Sequence, residues 1–317
     1  MSGRPVCVSF RPTDAQKVTK REAVLNSWAV FGRGGLGLGL LALLAAPASG
    51  QRIPFEKRFF TEQVLRPHSQ PVVPIFEGWY KNADGTYELC FGYFNLNLDE
   101  PLDIPLGEDN FIEPSQYDGH QPTHFTPVPG MTPTSPFTSR FRRVWCAFTV
   151  TAPADYTDQD QIWWTLHREG EDAPVRTPGT INVAYVLDEP RSDGMGELAP
   201  ILRFSEDGEG FQGRKGATAP PQTARVGQPL DLSVWIEHPF EEQMWVGWLK
   251  YKGPGEVTFG PVEQRIPLES TRGVARTSVT FSEPGEYEIL MQSLDNTANF
   301  EFHCCWTNAY LPVTVSR

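Results

Sequence analysis

Short runs in which apolar and polar residues alternate recur along the chain, separated by turn residues. In the run RRVWCAFTVTA (142–152), alternate residues would share one face of a β-strand, namely Val144, Cys146, Phe148 and Val150. No convincing amphipathic helix follows residue 50. Four other runs also predict strands: GTYELCFGYFNLNL (85–98), DQIWWTLHRE (160–169), TINVAYVLDE (180–189) and APILRFS (199–205).

The spacing of these runs predicts an all-β protein built from antiparallel sheets packed as sandwiches. The turn NADG (82–85) follows EGWYK and precedes the next run, which is typical of a β-hairpin. In IWWTL, Trp163 and Trp164 would point to opposite faces of a strand. One of these indoles should therefore face solvent, a partner domain or a ligand.

Two stretches interrupt the series of strands and suggest how the chain is divided. Residues 99–139 are rich in proline and show no periodicity, and loops of this length are often functional or disordered. Residues 206–224 are rich in glycine, proline and charge, which is typical of a linker. We therefore predict an N-terminal sandwich domain over 51–215, carrying the long Pro-rich loop, and a second domain over 216–317.

The C-terminal third carries a family resemblance. TSVTFSEPGEYEILMQSLDN (277–296) and the closing VTV resemble the late strands of PKD and bacterial immunoglobulin-like domains. The resemblance implies an immunoglobulin-like sandwich, with Gly285 and Tyr287 at a tyrosine corner. It also implies a spacer or binding module. This copy departs from the family by the insertion NTANFEFHCCWTN (296–308) before the last strand.

Residues 1–50 have the pattern of a targeting segment. Basic residues precede the apolar run GGLGLGLLALLAA (34–46), and the small-residue stretch APASGQ follows it. The run is too short for a membrane anchor, so we predict a signal peptide and an exported protein, periplasmic or extracellular, with no integral membrane segment in the mature chain. Lys20 stands where the first arginine of a twin-arginine signal would be, which leaves the export route open.

The charge balance restricts the partners. The chain has a formal net charge of -12, and its first 50 residues hold six basic and two acidic residues. Removing them leaves 21 basic and 37 acidic residues, a net charge of -16. Such an acidic protein is a poor candidate for nucleic acid. Carbohydrate or another exported protein remains as a possible partner.

Cysteine usage agrees with export. Cleavage of the signal would leave Cys90, Cys146, Cys304 and Cys305, and four cysteines allow three pairings. The adjacent pair can close a strained vicinal disulfide, whose flat face beside Trp306 and Tyr310 would support a stacked ligand such as a sugar. Alternatively, one of the pair reaches Cys90 or Cys146, or the pair acts with His303 as a thiol redox or metal site.

The Pro-rich loop contains a second candidate site. In YDGHQPTHF, His120 and His124 are close in sequence to Glu113 and Asp118, and two histidines with a carboxylate are a known metal set. The alternative is a packed loop with solvated histidines, because Pro122 prevents a continuous helix between them. The acidic residues between Asp99 and Glu113 suggest calcium, but the EF-hand loop pattern is absent, which favours a solvated loop.

The sequence contains no recognised nucleophile, zinc-protease or phosphate-binding motif. We therefore predict an exported, non-catalytic binding or structural module with two sandwich domains. The alternative is a metal-binding protein or metal-dependent enzyme that uses the loop of His120 and His124.

Overall fold

The computed structural model describes residues 68–97, 100–127, 143–189, 198–295 and 305–317. The chain divides into two compact units, Met1–Arg58 and Phe59–Arg317, and all described residues belong to the second unit. The predicted signal peptide therefore lies outside the described residues. In the part of the chain that is described, no helix has the length and apolar character needed to cross a membrane.

The described residues are almost entirely β-structure, as predicted, with two short 3-10 helices at Ser115–Tyr117 and Val183–Tyr185. The strands are β1 (Val72–Lys81), β2 (Tyr87–Asn95), β3 (Leu102–Asp103), β4 (Asn110–Glu113), β5 (His124–Phe125), β6 (Arg143–Ala152), β7 (Ile162–Leu166), β8 (Val175–Gly179), β9 (Ile201–Arg203), β10 (Phe211–Gln212), β11 (Ala217–Thr218), β12 (Gln222–Arg225), β13 (Leu230–Glu237), β14 (Gln243–Lys252), β15 (Val257–Gly260), β16 (Glu263–Pro267), β17 (Arg272–Phe281), β18 (Gly285–Leu294) and β19 (Trp306–Ser316).

The first sandwich packs the antiparallel sheet β1-β2-β6 against the sheet β4-β7-β8. The predicted hairpin joins β1 to β2, and Gly85 closes its turn with φ +89°, a conformation that glycine adopts without strain. The core is aromatic: the ring of Trp164 lies 5.0 Å from Phe148 and 6.4 Å from Phe91. Trp164 is fully buried while Trp163 is half-buried, as the alternation predicted.

Strand β6 contains a bulge, and backbone carbonyls of this bulge take part in the candidate site described below. Phe91 lies opposite Phe148 and Tyr93 opposite Val144, so residues 145–147 of β6 face Gly92 alone. Cys146 lies in this bulge with φ +38° and forms a disulfide with Cys90, with their Cα atoms 5.2 Å apart. This is one of the pairings that the sequence left open.

The second sandwich contains the sheet β10-β9-β13-β17-β15 and the sheet β11-β19-β18-β14-β16, with β12 added in parallel to β19. The tyrosine corner is confirmed, because the Tyr287 hydroxyl donates to the Glu283 carbonyl at 2.8 Å. Gly285 approaches the ring of Pro254 so closely that a Cβ atom there would lie 2.7 Å from Pro254 Cγ. These features define an immunoglobulin-like β-sandwich.

A shared core joins the two sandwiches, because the core of the first sandwich includes the outer face of one sheet of the second, while the second has a separate core between its own sheets. Strand β14 is buried on both faces: Met244 and Val246 pack inside the second sandwich, whereas Trp245, Leu249 and Tyr251 belong to the core of the first. The almost continuous apolar run QMWVGWLKYK reflects this double burial. Four residues of β18 and β19 join the same shared core: Leu290, Leu294, Trp306 and Tyr310.

Three expectations about organisation differ from the structure. Residues 180–189 contain a short 3-10 helix at Val183–Tyr185 instead of a strand, because the Asn182 side chain accepts from the Ala184 amide and caps the helix. The Pro-rich loop is not irregular throughout, since it contributes β3, β4 and β5 within residues 102–125. Finally, β9 pairs with β13, so strands of the second sandwich begin before residue 216.

Candidate ligand cleft between the two sandwiches

A set of buried hydrogen bonds, called here the polar seam, crosses the shared core. Its acceptors include backbone carbonyls of the β6 bulge that do not pair with β2. Asn308 is fully buried and donates from Nδ2 to the carbonyl oxygens of Cys146 (2.9 Å) and Arg214 (2.7 Å). Gln292 donates to the Trp145 carbonyl at 3.1 Å, and the Tyr310 hydroxyl donates to that of Ala147 at 3.0 Å. The second sandwich thus satisfies buried carbonyls that the bulge leaves outside the ladder.

A cleft of about 420 Å³ opens beside this seam. Sites between packed domains are common places for ligands. The wall from the first sandwich is organised by Glu88, whose fully buried carboxylate accepts from the hydroxyls of Thr149 (2.5 Å) and Thr151 (3.0 Å). The Lys215 ammonium lies 3.5 Å from Glu88 Oε2 and donates to Thr151 at 2.7 Å. Because the Thr149 hydroxyl donates to Glu88, its oxygen lone pairs remain as acceptors.

The wall from the second sandwich carries a second ion pair and two phenols. Lys252 Nζ lies 3.3 Å from Glu288 Oε2. The rings of Tyr251 and Tyr310 meet edge to face with their centroids 5.3 Å apart. Burial raises the pKa of both phenols above the ordinary tyrosine value, so both remain protonated donors. The cleft therefore offers donors and acceptors on both walls with its charges paired.

The Pro-rich loop is hydrogen-bonded to the cleft wall that comes from the second sandwich. The Tyr251 hydroxyl donates to the His120 carbonyl, and Lys252 Nζ donates to the Gly119 carbonyl at 2.9 Å. His120 lines the cleft, whereas His124 lines a different cavity, where its Nδ1 lies 2.8 Å from Asp103 Oδ1. The two histidines are therefore directed to different places.

The predicted metal ligands have separate partners. Glu113 pairs with Arg176 at 3.4 Å, and Asp118 accepts from the Ile112 amide at 2.9 Å and from Gln121 Nε2 at 2.6 Å. Among the described residues, no group of three or more histidine, cysteine, aspartate or glutamate side chains is placed to hold a metal ion. The structure does not bring this set together, and metal binding by it stays a prediction.

The predicted ligand-stacking residues, Trp306 and Tyr310, are only 4% and 9% exposed. The Arg214 guanidinium lies 4.8 Å from the Trp306 ring and 5.6 Å from the Tyr80 ring, and it donates to the Asp188 carbonyl at 2.7 Å. Burial lowers the pKa of Arg214 to about 10, although Tyr80, Asp188 and Glu77 act in the opposite direction. Trp306 is therefore a packing residue of the shared core, while Tyr310 lines the cleft.

Cys305 is disulfide-bonded, and Cys90 and Cys146 are bonded to each other. A bond from Cys305 to either of them is therefore not formed. Cys304 lies outside the described residues, so the vicinal bond stays a prediction.

We expect non-reducing peptide mapping to find Cys304 and Cys305 oxidised within one peptide that gains the mass of two hydrogens on reduction. A cross-link to another peptide, or free thiols at both positions, would contradict the vicinal bond.

Sequence reasoning missed the charged residues of the cleft: Glu88, Lys215, Lys252 and Glu288. Each lies in or beside a segment that the sequence assigned to a strand or linker. One indication was present, since Glu88 is the lone charge in the apolar run YELCFGYF. A charge in the middle of such a strand needs buried partners, and those partners are distant in sequence.

No protein-family model matches the chain, and no curated protein matches it in sequence. Solved structures resemble it at low similarity. The Caenorhabditis elegans MSP family member WR4 is 11% identical and covers 30% of this chain and 92% of its own, with a TM-score of 0.22. The PapD-like domain 7 of human CEP192 is 14% identical over 41% of this chain and 94% of its own, with a TM-score of 0.25.

Domains 4 and 5 of the S-layer protein SbsC are 11% identical to this chain over 78% of it and 98% of their own length, with a TM-score of 0.22. These comparisons carry no argument about function. The assignment of an immunoglobulin-like sandwich rests on the strand pairing and the tyrosine corner described above.

Proposed function

We propose that this chain is an exported, non-catalytic binding protein and that the cleft between its sandwiches takes a neutral, polyhydroxylated ligand such as a short carbohydrate. The observation that carries the proposal is the pairing of charges on the two cleft walls, Glu88 with Lys215 and Lys252 with Glu288. Because these four charged groups are already paired, none of them needs a charged ligand as its partner. A hydroxyl group both donates and accepts, so it can use the ammonium donors and the threonine and carboxylate acceptors together.

The surroundings of the cleft agree with this proposal. The phenols of Tyr251 and Tyr310 lie at its inner side, and Tyr117 also lines it. Tyrosine rings combine apolar contact area with a hydroxyl, which suits the mixed faces of a sugar. Export is supported by the signal-like first 50 residues and by the disulfide between Cys90 and Cys146. The resemblance to PKD and bacterial immunoglobulin-like domains supports a binding role without catalysis.

The test is binding of the purified protein to an array of immobilised neutral and uronic-acid oligosaccharides. We expect at least one neutral oligosaccharide to bind, and Thr149→Val and Lys215→Met each to weaken its binding about tenfold, because each removes one hydrogen-bonding group from the cleft. Thr223→Val and Arg225→Met, exposed positions of β12, are matched controls and should leave binding unchanged.

Two results would contradict the proposal. One is the absence of binding to every oligosaccharide on the array. The other is binding that the Thr149 and Lys215 variants leave as tight as that of the unmodified protein, since the sugar would then occupy a different surface.

A further inference from the structure

A second polar pocket, of about 350 Å³, lies at the tip of the hairpin that joins β1 to β2. It is called here the hairpin pocket, and it is lined by residues 80–84, Glu189, Gln212 and Lys215. Its volume, like that of the cleft, is within the usual range for small-molecule sites. Lys215 lines both the hairpin pocket and the cleft. The two spaces therefore adjoin at this side chain.

The floors of the two pockets belong to one face of the same sheet. Tyr80 of β1 lies opposite Glu88 of β2, and Glu88 lies opposite Thr151 of β6. Side chains directly opposite each other on antiparallel strands project from the same face. Tyr80 lines the hairpin pocket, whereas Glu88 and Thr151 line the cleft. Because neighbouring strands lie about 4.8 Å apart, this row joins one pocket to the other over about 10 Å.

A chain of hydrogen bonds also runs from one pocket to the other. Asn82, on the wall of the hairpin pocket, donates from Nδ2 to Glu88 Oε2 at 3.1 Å. Glu88 Oε1 accepts from the Thr149 hydroxyl in the cleft at 2.5 Å. Asn82 Nδ2 also donates to the Thr86 hydroxyl at 3.0 Å, so its Oδ1 is left as an acceptor. The polar groups of the two pockets are therefore held in one arrangement.

The junction between the pockets is itself able to bind a ligand. The Lys215 side chain is 57% exposed, and an ammonium group has three N–H donors. Within the part of the chain that the structure describes, its Nζ donates to Thr151 at 2.7 Å and lies 3.5 Å from Glu88 Oε2. At least one N–H group of Lys215 thus remains for a molecule that passes over it from one pocket to the other.

The hairpin pocket has the same balance of charge as the cleft. Its wall carries two ammonium groups, Lys81 and Lys215, and two carboxylates, Asp84 and Glu189. Asp84 is held in place by the turn, because its Oδ1 accepts from the Thr86 amide at 3.0 Å and from the Thr86 hydroxyl at 2.6 Å. Donors and acceptors are therefore present on both sides of Lys215, which suits a ligand made of repeated hydroxylated units.

We propose that the carbohydrate bound by this chain is an extended, linear oligosaccharide, one part of which lies in the cleft while the rest crosses Lys215 and fills the hairpin pocket. A single sugar would use only one of the two sets of hydrogen-bonding groups. This inference rests on the proposed function, since it names the length and shape of the carbohydrate that the cleft takes.

The experiment measures how affinity depends on chain length. The probes are chains of two to six residues of the neutral sugars on the oligosaccharide array, among them β-1,4-glucan, β-1,4-mannan, β-1,4-xylan and α-1,4-glucan, titrated calorimetrically into the unmodified protein. For the sugar that binds, we expect the six-residue chain to bind at least about tenfold more tightly than the two-residue chain, because it adds hydrogen bonds in the hairpin pocket.

Three variants locate the added contacts. Ala83 is exposed and lines the hairpin pocket, so Ala83→Trp should fill that pocket and reduce the affinity of the six-residue chain to that of the two-residue chain. Thr149→Val, in the cleft, should weaken both chains by the same factor. Ala173→Trp is the matched control, since Ala173 is exposed in the segment between β7 and β8 and lines neither pocket. It should leave both affinities unchanged.

The outcomes separate this inference from the proposed function. If short and long chains bind equally tightly, the ligand is confined to the cleft, and this inference is overturned while the proposed function stands. The inference is also overturned if the gain with length survives Ala83→Trp, because the added residues then lie elsewhere. Binding of no chain at any length contradicts both proposals. If Ala83→Trp does not fold, Lys81→Met, which removes one ammonium group from the hairpin pocket, should reduce the gain with length by about fivefold.

Discussion

Replacing Asn308 by alanine is expected to lower the free energy of unfolding by about 4 kcal/mol, because two buried carbonyls, those of Cys146 and Arg214, lose their donor. The same change removes the oxygen that accepts from Gln292 Nε2 at 2.9 Å. Urea unfolding followed by tryptophan fluorescence measures the loss. Because the two sandwiches are joined by the shared core, we expect one cooperative unfolding transition in the unmodified protein and in Asn308→Ala.

The control is Asn182→Ala, which removes the exposed cap of a 3-10 helix and should cost no more than about 1 kcal/mol. A loss at Asn308 as small as that of the control would show that the seam between the sandwiches contributes little to stability. Two separate transitions in the unmodified protein would show that the sandwiches unfold independently, against the shared core.

Stability is expected to fall as the pH rises from about 4.5 to about 7, because of Glu77. This residue is buried at a bulge in β1, and Arg143 Nε donates to its Oε1 at 3.0 Å. Burial raises the pKa of Glu77 to about 7, even though Arg143 and the Cys146 amide stabilise the charged form. The folded-state pKa thus lies above the unfolded value, so the folded protein holds this proton more tightly than the unfolded chain does.

The contribution of Glu77 is therefore fully present below about pH 4.5 and is lost as the pH passes about 7, a change of about 3 kcal/mol. We expect Glu77→Gln to remove this part of the pH dependence in urea titrations at a series of pH values. His167, whose pKa is raised by its hydrogen bond to Asp109, titrates in the same direction in both proteins and cancels in the comparison.

Glu209→Gln is the matched control, because Glu209 is exposed, and it should keep the pH dependence of the unmodified protein. If Glu77→Gln keeps that dependence as well, the carboxyl of Glu77 is charged in the folded protein across this pH range. Its pairing with Arg143 would then outweigh the cost of burial.

Much of the fold could be predicted from local pattern, since alternation is a property of neighbouring residues. The opposite orientations of Trp163 and Trp164 and the corner at Tyr287 both follow from a few consecutive residues. The pattern was misleading at residues 180–189, where the apolar residues Val183 and Val186 are more than half exposed and a cap at Asn182 determines the conformation. Helix caps and strand runs compete for the same short segments.

The site could be predicted only in part. The Pro-rich loop was singled out as either functional or disordered, and the structure places His120 in the cleft and His124 in a separate cavity. The partners of these residues could not be inferred, because Lys215 meets Glu88, and Lys250 meets Asp103, only after the sheets pair. Such pairings depend on long-range register, which a single sequence does not encode in any local pattern.

The shared core has a consequence for how a ligand would be captured. The two cleft walls are joined through Trp245, Tyr251 and Tyr310, which lie in one continuous core, and through the Asn308 seam. Closing such a cleft around a ligand by a hinge would require breaking that core. Binding would instead occur in a preformed site, with little entropy lost in ordering the protein, so that affinity is determined by the fit of the ligand rather than by a change of shape.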